Sequence, residues 1–142
     1  AIMKRLLCAL FVPCALLLAG CENNAASYVI DNSKDHSISL LREQNIAWVG
    51  SVEQRFVVSR FPECQRRYTV DAGTTAMEKV SLYEVGPMLY AAQQGKVWYA
   101  LGTEACQVQK FKEPPPVIPP GRLLGSFEKN EDGQLVFNPA KP

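Results

Sequence analysis

The amino-acid sequence predicts a mainly β fold: a small antiparallel sandwich or barrel-like meander with one disulfide, a proline-rich arm and a C-terminal hairpin. Three observations support this prediction. Short β-rich runs alternate with turn-forming residues across residues 28–112. Two cysteines, Cys64 and Cys106, lie inside that stretch, and prolines crowd the segment 113–121 that follows it.

The β-rich domain, residues 28–112, is divided by turn signals at Gly86-Pro87, at Gln93-Gln94-Gly95 and at Gly102-Thr103-Glu104. The runs that this division favours as strands are 55–60, 64–70, 79–85, 96–101 and 105–111. Alternation is clearest in 64–70, where Cys64, Tyr68 and Val70 share one face and Arg66 is the polar exception on it. Two stretches, 37–45 and 74–79, also fit short helices.

The segment after this domain predicts a linker and then a hairpin. Five of the ten prolines lie between 114 and 120, so residues 113–121 are expected to be an extended, polyproline II-like spacer. An Asp-Gly step within Asn130-Glu131-Asp132-Gly133 favours a hairpin in the tail, residues 122–142. That hairpin would add to the main sheet or to the sheet of a partner.

The N-terminal segment, residues 1–20, has the features of a secretory signal. Lys4 and Arg5 precede an uncharged apolar run, residues 6–18, and small residues follow it. The run is shorter than the roughly 20 residues that a spanning helix needs, and Pro13 interrupts it.

Leu18-Ala19-Gly20-Cys21 resembles the lipobox of bacterial lipoprotein precursors. The resemblance implies cleavage before Cys21 by the lipoprotein signal peptidase and lipidation (palmitate among the acyl chains) of the Cys21 sulfur. The partner it implies is a lipid bilayer, and residues 21–27 would be a lipidated polar tether. Glu22, rather than Asp, follows the cysteine, which favours the outer membrane facing the periplasm.

The same interpretation explains all five cysteines. Cys8 and Cys14 leave with the signal, Cys21 takes the lipid, and Cys64 and Cys106 remain as one pair in an oxidising compartment. A disulfide is expected there. The alternative is a catalytic thiol, which is disfavoured because the chain has one histidine to activate it.

Composition and motifs argue against several function classes. Fifteen Lys and Arg face fourteen Asp and Glu; without Lys4 and Arg5, thirteen remain and the net charge is near −1, which disfavours a nucleic-acid partner. The sequence has no metal-ligand spacing and no cofactor motif, so no cofactor, no metal and no catalytic residue are predicted. His36 is interpreted as a solvated loop residue. The aromatic residues are expected to pack rather than bind ligand: Trp48, Tyr83, Tyr90, Trp98 and Tyr99.

A second resemblance covers about 25 residues: Tyr90, Trp98, Gly102, Glu104 and Ala105 are similar to the Tyr…Trp…Gly-x-Glu-Ala stretch of membrane-bound inhibitors of C-type lysozyme. The inhibitory Ser-Gly-x-x-Tyr loop of that family is not present in 85–90, so no inhibitory residue is assigned.

The functional prediction is a non-enzymatic, membrane-anchored lipoprotein that binds or braces another protein in a cell-envelope assembly for secretion, conjugation or envelope maintenance. The alternative is a periplasmic inhibitor of a hydrolase such as C-type lysozyme.

Overall fold

Ten strands make up the fold in the computed structural model, which describes residues 23–44 and 50–142. No helix occurs in these two ranges. The strands are β1 (Asn23–Ile30), β2 (Ser33–Glu43), β3 (Ser51–Arg60), β4 (Cys64–Thr74), β5 (Val80–Gly86), β6 (Leu89–Gln94), β7 (Val97–Gly102), β8 (Gln107–Lys110), β9 (Arg122–Lys129) and β10 (Leu135–Pro139).

The strands form two antiparallel sheets and no closed barrel. Sheet A has the order β1-β2-β3-β4, and sheet B has the order β10-β9-β5-β6-β7-β8. The prediction of a mainly β fold is confirmed. Of the two architectures predicted, a sandwich and a barrel-like meander, the sandwich is the one observed.

The core lies between the two sheets because alternate residues of each strand point inward. In sheet A these include Ile38, Leu40 and Phe56, each at most 1% exposed, and in sheet B they include Leu82 and Leu101, both at 0%. Each fully buried side chain of this size contributes roughly 1.5–3 kcal/mol through the hydrophobic effect. Cys64, Tyr68 and Val70 pack against this core, which confirms the predicted face of β4.

Both helix predictions are wrong in the described residues. The stretch 37–44 lies mainly in β2, because Ile38 and Leu40 point inward while Ser37 and Ser39 point outward, which is a period of two rather than 3.6. Residues 75–79 connect β4 to β5 without forming a helix. Residues 23–27, which were expected to belong to a free tether, form the first part of β1 and pair with β2.

The predicted hairpin at the C-terminus is confirmed, and its position resolves the two alternatives. β9 pairs with β10 across the turn at 130–134 and with β5 on its other side, so the hairpin extends the main sheet. The Asn130 side chain accepts hydrogen bonds from the backbone of Asp132 and Gln134, and Gly133 takes a φ of 76°. This turn chemistry explains why the Asp-Gly signal was reliable.

Residues 111–121, here called the strap, run diagonally across the outer face of sheet B instead of forming a free spacer. β8 and β9 are parallel and lie four strand spacings apart, about 19 Å. Because they run in the same direction, the strap must also go back along the length of a strand, from the end of β8 to the start of β9. Eleven residues of polyproline II reach roughly 34 Å, which is enough for this path. The strap begins where the Phe111 amide donates to the Trp98 carbonyl, 2.9 Å away.

The strap covers apolar residues that would otherwise face solvent. Ala91 and Trp98 point away from the sandwich core, yet they are 2% and 3% exposed, and Pro115 of the strap is buried. At its far end the strap passes so close to β5 that a Cβ at Gly121 would lie 2.1 Å from the Glu84 carbonyl oxygen. Glycine is therefore required there.

The sandwich has two different poles. β1 begins at the proximal pole, which also carries the turns at 95–96 and 130–134. The distal pole carries the turns at 31–32, 61–63, 87–88 and 103–106.

Polar side chains join the sheets near the proximal pole. Gln54, 1% exposed, donates to the Gln94 side chain over 2.9 Å and to the Asp71 carbonyl over 2.8 Å. It also accepts from the buried guanidinium of Arg42, with Nε and Oε1 3.0 Å apart. The Gln94 amide donates in turn to the Glu78 carbonyl, 2.8 Å away. Buried polar groups are tolerated here because they satisfy one another.

Candidate functional site: the distal apolar pole

The large apolar side chains that the described residues leave exposed all lie in the distal half of the sandwich. Their exposed fractions range from 42% to 67%. They are Val29, Phe61, Val85, Met88, Leu89, Val117, Ile118 and Leu123. Single exposed apolar residues are common on protein surfaces, but their concentration at one end indicates an interaction surface.

Three of these residues, Val85, Met88 and Leu89, lie at or beside the β5–β6 turn. Val85 and Leu89 flank the Pro87-Met88 tip, and the Met88 carbonyl accepts from the Thr103 amide over 3.0 Å, which holds the tip in place. Met88 has a φ of 53°, a conformation that favours Gly or Asn and costs other residues about 1–3 kcal/mol. A flexible, polarisable thioether is thus presented to solvent at a position where a smaller residue would be more stable.

An apolar groove lies between this turn and the strap. Its volume is about 260 Å³. The wall on the sheet side includes Val85, Leu89 and Ala91, and the strap supplies Pro115 and Val117. A groove of this kind accepts an apolar side chain of a partner, because it offers rigid proline and strand surfaces with little polar area to desolvate.

Charged pairs surround the apolar residues of the pole. The Arg122 and Glu84 side chains are 3.1 Å apart beside the strap's end, and Arg60 and Glu63 are 3.5 Å apart on the β3–β4 turn. An apolar centre with a charged rim is the usual anatomy of a protein–protein interface. At least one member of each pair is exposed to solvent, so the pairs are expected to affect partner choice more than affinity.

Tyrosines beneath the pole are shielded from water. Burial raises the pKa of Tyr90 to about 12, and the neighbouring Tyr28 and Glu84 act in the same direction. Burial likewise raises the pKa of Tyr28, whose ring packs against Phe137 with the centroids 5.2 Å apart. These phenols therefore stay neutral across the physiological range and serve packing.

Cys64 and Cys106 form the predicted disulfide, with their Cα atoms 5.9 Å apart. The bond connects the start of β4 in sheet A to the turn before β8 in sheet B, so it fixes the frame of the distal pole. The predicted lipidation residue, Cys21, and the signal 1–20 lie outside the described residues.

His36 lies in β2 and not in a loop, so the prediction of a solvated loop residue was wrong. Its cross-strand partner is Arg60, and its Nε2 atom is buried without a hydrogen-bond partner. The start of β2 was not recognised because residues 32–37 are polar. The alternation of polar and apolar residues that indicates a strand begins only after them, at Ile38.

The aromatic residues pack, as predicted, wherever they fall within the described ranges. Tyr90, Trp98 and Tyr99 are each 3% exposed, and Tyr83 packs on Trp98 with the ring centroids 5.7 Å apart. Trp48 lies outside the described residues. Tyr90 and Trp98, which carried the likeness to the lysozyme inhibitors, are thus packing residues, while Glu104 and Ala105 lie exposed on the turn before β8.

Sequence reasoning missed the residues that define the pole. The available signal was weak: Met88 follows a proline at a predicted turn, and Val117-Ile118 interrupts the prolines, both unusual places for large apolar side chains. Within 23–44 and 50–142, no group of three or more His, Cys, Asp or Glu is arranged to hold a metal ion. Nor do these ranges contain a helix long and apolar enough to cross a membrane.

The fold and the pole define a class: a disulfide-bonded, two-sheet β domain with an apolar surface at one end. Comparison with protein-family models, with curated proteins and with solved structures finds no match to the chain.

Proposed function

We propose that this protein is a membrane-anchored envelope lipoprotein whose distal pole binds another envelope protein as part of a larger assembly. The observation that carries the proposal is the position of the exposed large apolar side chains, which the described residues concentrate at the end opposite the start of β1. Exposing apolar side chains to water is unfavourable in free energy, and burying them against a partner removes that penalty.

The difference between the two ends of the sandwich is consistent with a lipid anchor at Cys21. β1 begins at Asn23, two residues after that cysteine, so a lipid on Cys21 would hold the proximal pole near the membrane. The distal pole would then point away from the bilayer, toward the envelope space where partners lie. Two or more acyl chains make such attachment stable, since each buried methylene contributes about 0.8 kcal/mol.

The anchor has its own test. Mass spectrometry of the full chain from a bacterial host should find an acylated Cys21 at the mature N-terminus. A Cys21→Ala chain should keep residues 1–20 and carry no acyl group. Normal processing of the Cys21→Ala chain would exclude the lipoprotein assignment without affecting the binding proposal.

Binding is tested by co-purification of the full chain in mild detergent. Leu89→Lys places a charge in the centre of the pole, and Gln134→Lys makes the same change in charge at the exposed turn of the proximal pole. A partner protein recovered with the wild-type chain and with Gln134→Lys, but reduced at least tenfold with Leu89→Lys, is the expected result. Equal recovery with both variants would exclude the distal pole as the binding surface.

The identity of the partner decides between the assembly and the inhibitor. A structural envelope protein would support a role in assembly. A lysozyme in the recovered fraction, together with inhibition in a cell-wall lysis assay, would favour the alternative.

A further inference from the structure

A second surface, separate from the apolar groove, lies on the outer face of sheet A. It is a shallow trough of about 330 Å³ that crosses all four strands of the sheet. Its lining mixes polar side chains with the apolar Ala25, Leu41, Val57 and Phe61. The hydroxyl, amide and cationic side chains in the lining are those of Ser27, Lys34, Ser37, Ser39, Ser59, Gln65 and Arg67.

Strand register arranges the trough's hydroxyls in rows. Ser27 pairs with Ser39 across β1 and β2, and Ser37 pairs with Ser59 across β2 and β3. Each row therefore holds two serines on adjacent strands, whose backbones are about 4.8 Å apart. The Ser27 and Ser39 hydroxyl oxygens are 2.6 Å apart and hydrogen-bonded to each other.

The fold does not require serine at these positions. Strand surfaces favour Val, Ile and Thr, whose branched side chains pack on the pleated sheet. Ser27 is exposed and Ser37 and Ser39 are half-buried on this outer face, so their hydroxyls can donate to a ligand and accept from it. Ser59 is 5% exposed, and its hydroxyl accepts from the Gln65 side-chain amide over 3.1 Å.

The trough is also cationic. Lys34 and Arg67 line it, and among the described residues neither has an acidic side chain within ion-pair distance. Arg55, further along the same face, is already paired with Glu43 and Glu53. The described lining contains no carboxylate, so the trough attracts an anion.

An aromatic ring closes the distal end of the trough. Phe61 is 48% exposed at the β3–β4 turn and lines the same depression. The flat ring offers apolar area on which a C–H-rich face can pack, beside groups that hydrogen-bond.

We infer that this trough binds a polysaccharide strand that carries carboxylates. The trough crosses four strands, about 14 Å from β1 to β4, so it is long enough for more than one sugar of such a strand. Arg67 supplies a planar fork that matches a carboxylate in a bidentate pair, and Lys34 adds a second cation. The inference needs neither the anchor nor the partner protein of the proposed function; only Phe61 lies on both surfaces.

Isothermal titration of the full chain in mild detergent, with oligogalacturonate as the acidic probe and maltodextrin as the neutral one, tests the inference. Arg67→Gln is compared with Arg66→Gln, its neighbour on the same exposed strand. Arg66 pairs with the buried Val58 and projects to the opposite face, so both variants lose the same charge but only one changes the trough.

The expected result is binding of oligogalacturonate and not of maltodextrin. Arg67→Gln should weaken binding about tenfold or more, because a charge-assisted hydrogen bond is lost, while Arg66→Gln should change it less than twofold. Ser39→Val should weaken binding too. Leu89→Lys should leave it unchanged, which separates this site from the distal pole.

Three results would overturn the inference. They are the absence of binding to the acidic probe, equal binding of the neutral one, and equal weakening by the two arginine variants. The last would show a general attraction of anions rather than a site.

Discussion

The Cys64 sulfur is bonded to the Cys106 sulfur, and this bond ties the start of β4 in one sheet to the turn before β8 in the other. The Arg60 side chain supports the same junction by donating to the Thr103 carbonyl over 2.9 Å and to the Glu104 carbonyl over 2.6 Å. The distal pole therefore rests on a cross-linked frame. Its apolar side chains are held by turns that cannot move apart independently.

Loss of this bond should destabilise the whole domain. It closes a loop with a sequence separation of 42 residues, for which the chain-entropy relation gives about 4 kcal/mol. A soluble chain beginning at Asn23 should lose about that free energy of unfolding, measured by urea denaturation, on adding reductant. The Cys64→Ser/Cys106→Ser chain should be insensitive to reductant; if the wild-type chain is equally insensitive, the bond has no stabilising role.

The strap is expected to depend on Gly121. Gly121→Ala should force the strap away from Glu84 and destabilise the domain by about 1–3 kcal/mol. In a Trp48→Phe background Trp98 is the single tryptophan of the chain, and its emission should shift to the red as the strap loosens. Gly86→Ala is the matched control, since a Cβ there meets no atom within 4 Å. Identical spectra for the two variants would show that the strap does not need glycine at 121.

Gln54 is expected to be the residue on which the proximal polar network depends. Gln54→Ala removes hydrogen bonds to Arg42, Gln94 and the Asp71 carbonyl and leaves buried polar groups without that partner. A loss of about 3 kcal/mol in the free energy of unfolding is expected. The exposed Gln109 of β8 provides the comparison, and Gln109→Ala should change stability by less than about 0.5 kcal/mol. Equal effects of the two substitutions would contradict the network's role.

Stability should fall in strong base because of Tyr90. Its pKa is raised to about 12 in the folded protein, while an unfolded tyrosine has a pKa near 10. Between these values the unfolded chain has lost the proton that the folded chain keeps, so unfolding becomes easier as the pH rises from about 10 to 12. Urea denaturation of wild type and Tyr90→Phe across this range measures the effect. Tyr90→Phe should show a shallower decline; a decline of the same slope would assign it to other groups.

The sequence was informative wherever local chemistry decides structure. Asp132-Gly133 predicted the hairpin because few dipeptides fit such a turn, and the alternation of Cys64, Tyr68 and Val70 identified the buried face of β4. The path of the strap was mispredicted because the prolines determine only its extended backbone. The apolar face around Trp98 that it packs on is formed by other strands, so that contact cannot be read from the strap's own sequence. The strand β1 was missed for a related reason: its polar residues pair with β2, which is a tertiary contact.

The two proposed surfaces differ in how much of each can be predicted from the sequence. Ser37 and Ser39 alternate with Ile38 and Leu40, so their outward direction can be predicted from the sequence alone. Their alignment with Ser27 and Ser59 depends on strand register, which the sequence does not state. The distal pole is less accessible still, because Val85 and Val117 meet only after the strap has crossed the sheet.

Site-specific photo-crosslinking in intact cells tests the central claim, the binding role of the distal pole, most directly. A photoreactive phenylalanine analogue placed at Leu89 should give a discrete crosslinked species with one envelope protein, and the same analogue at Gln134 of the proximal pole should give none. Crosslinks from Gln134 but not from Leu89 would contradict the claim.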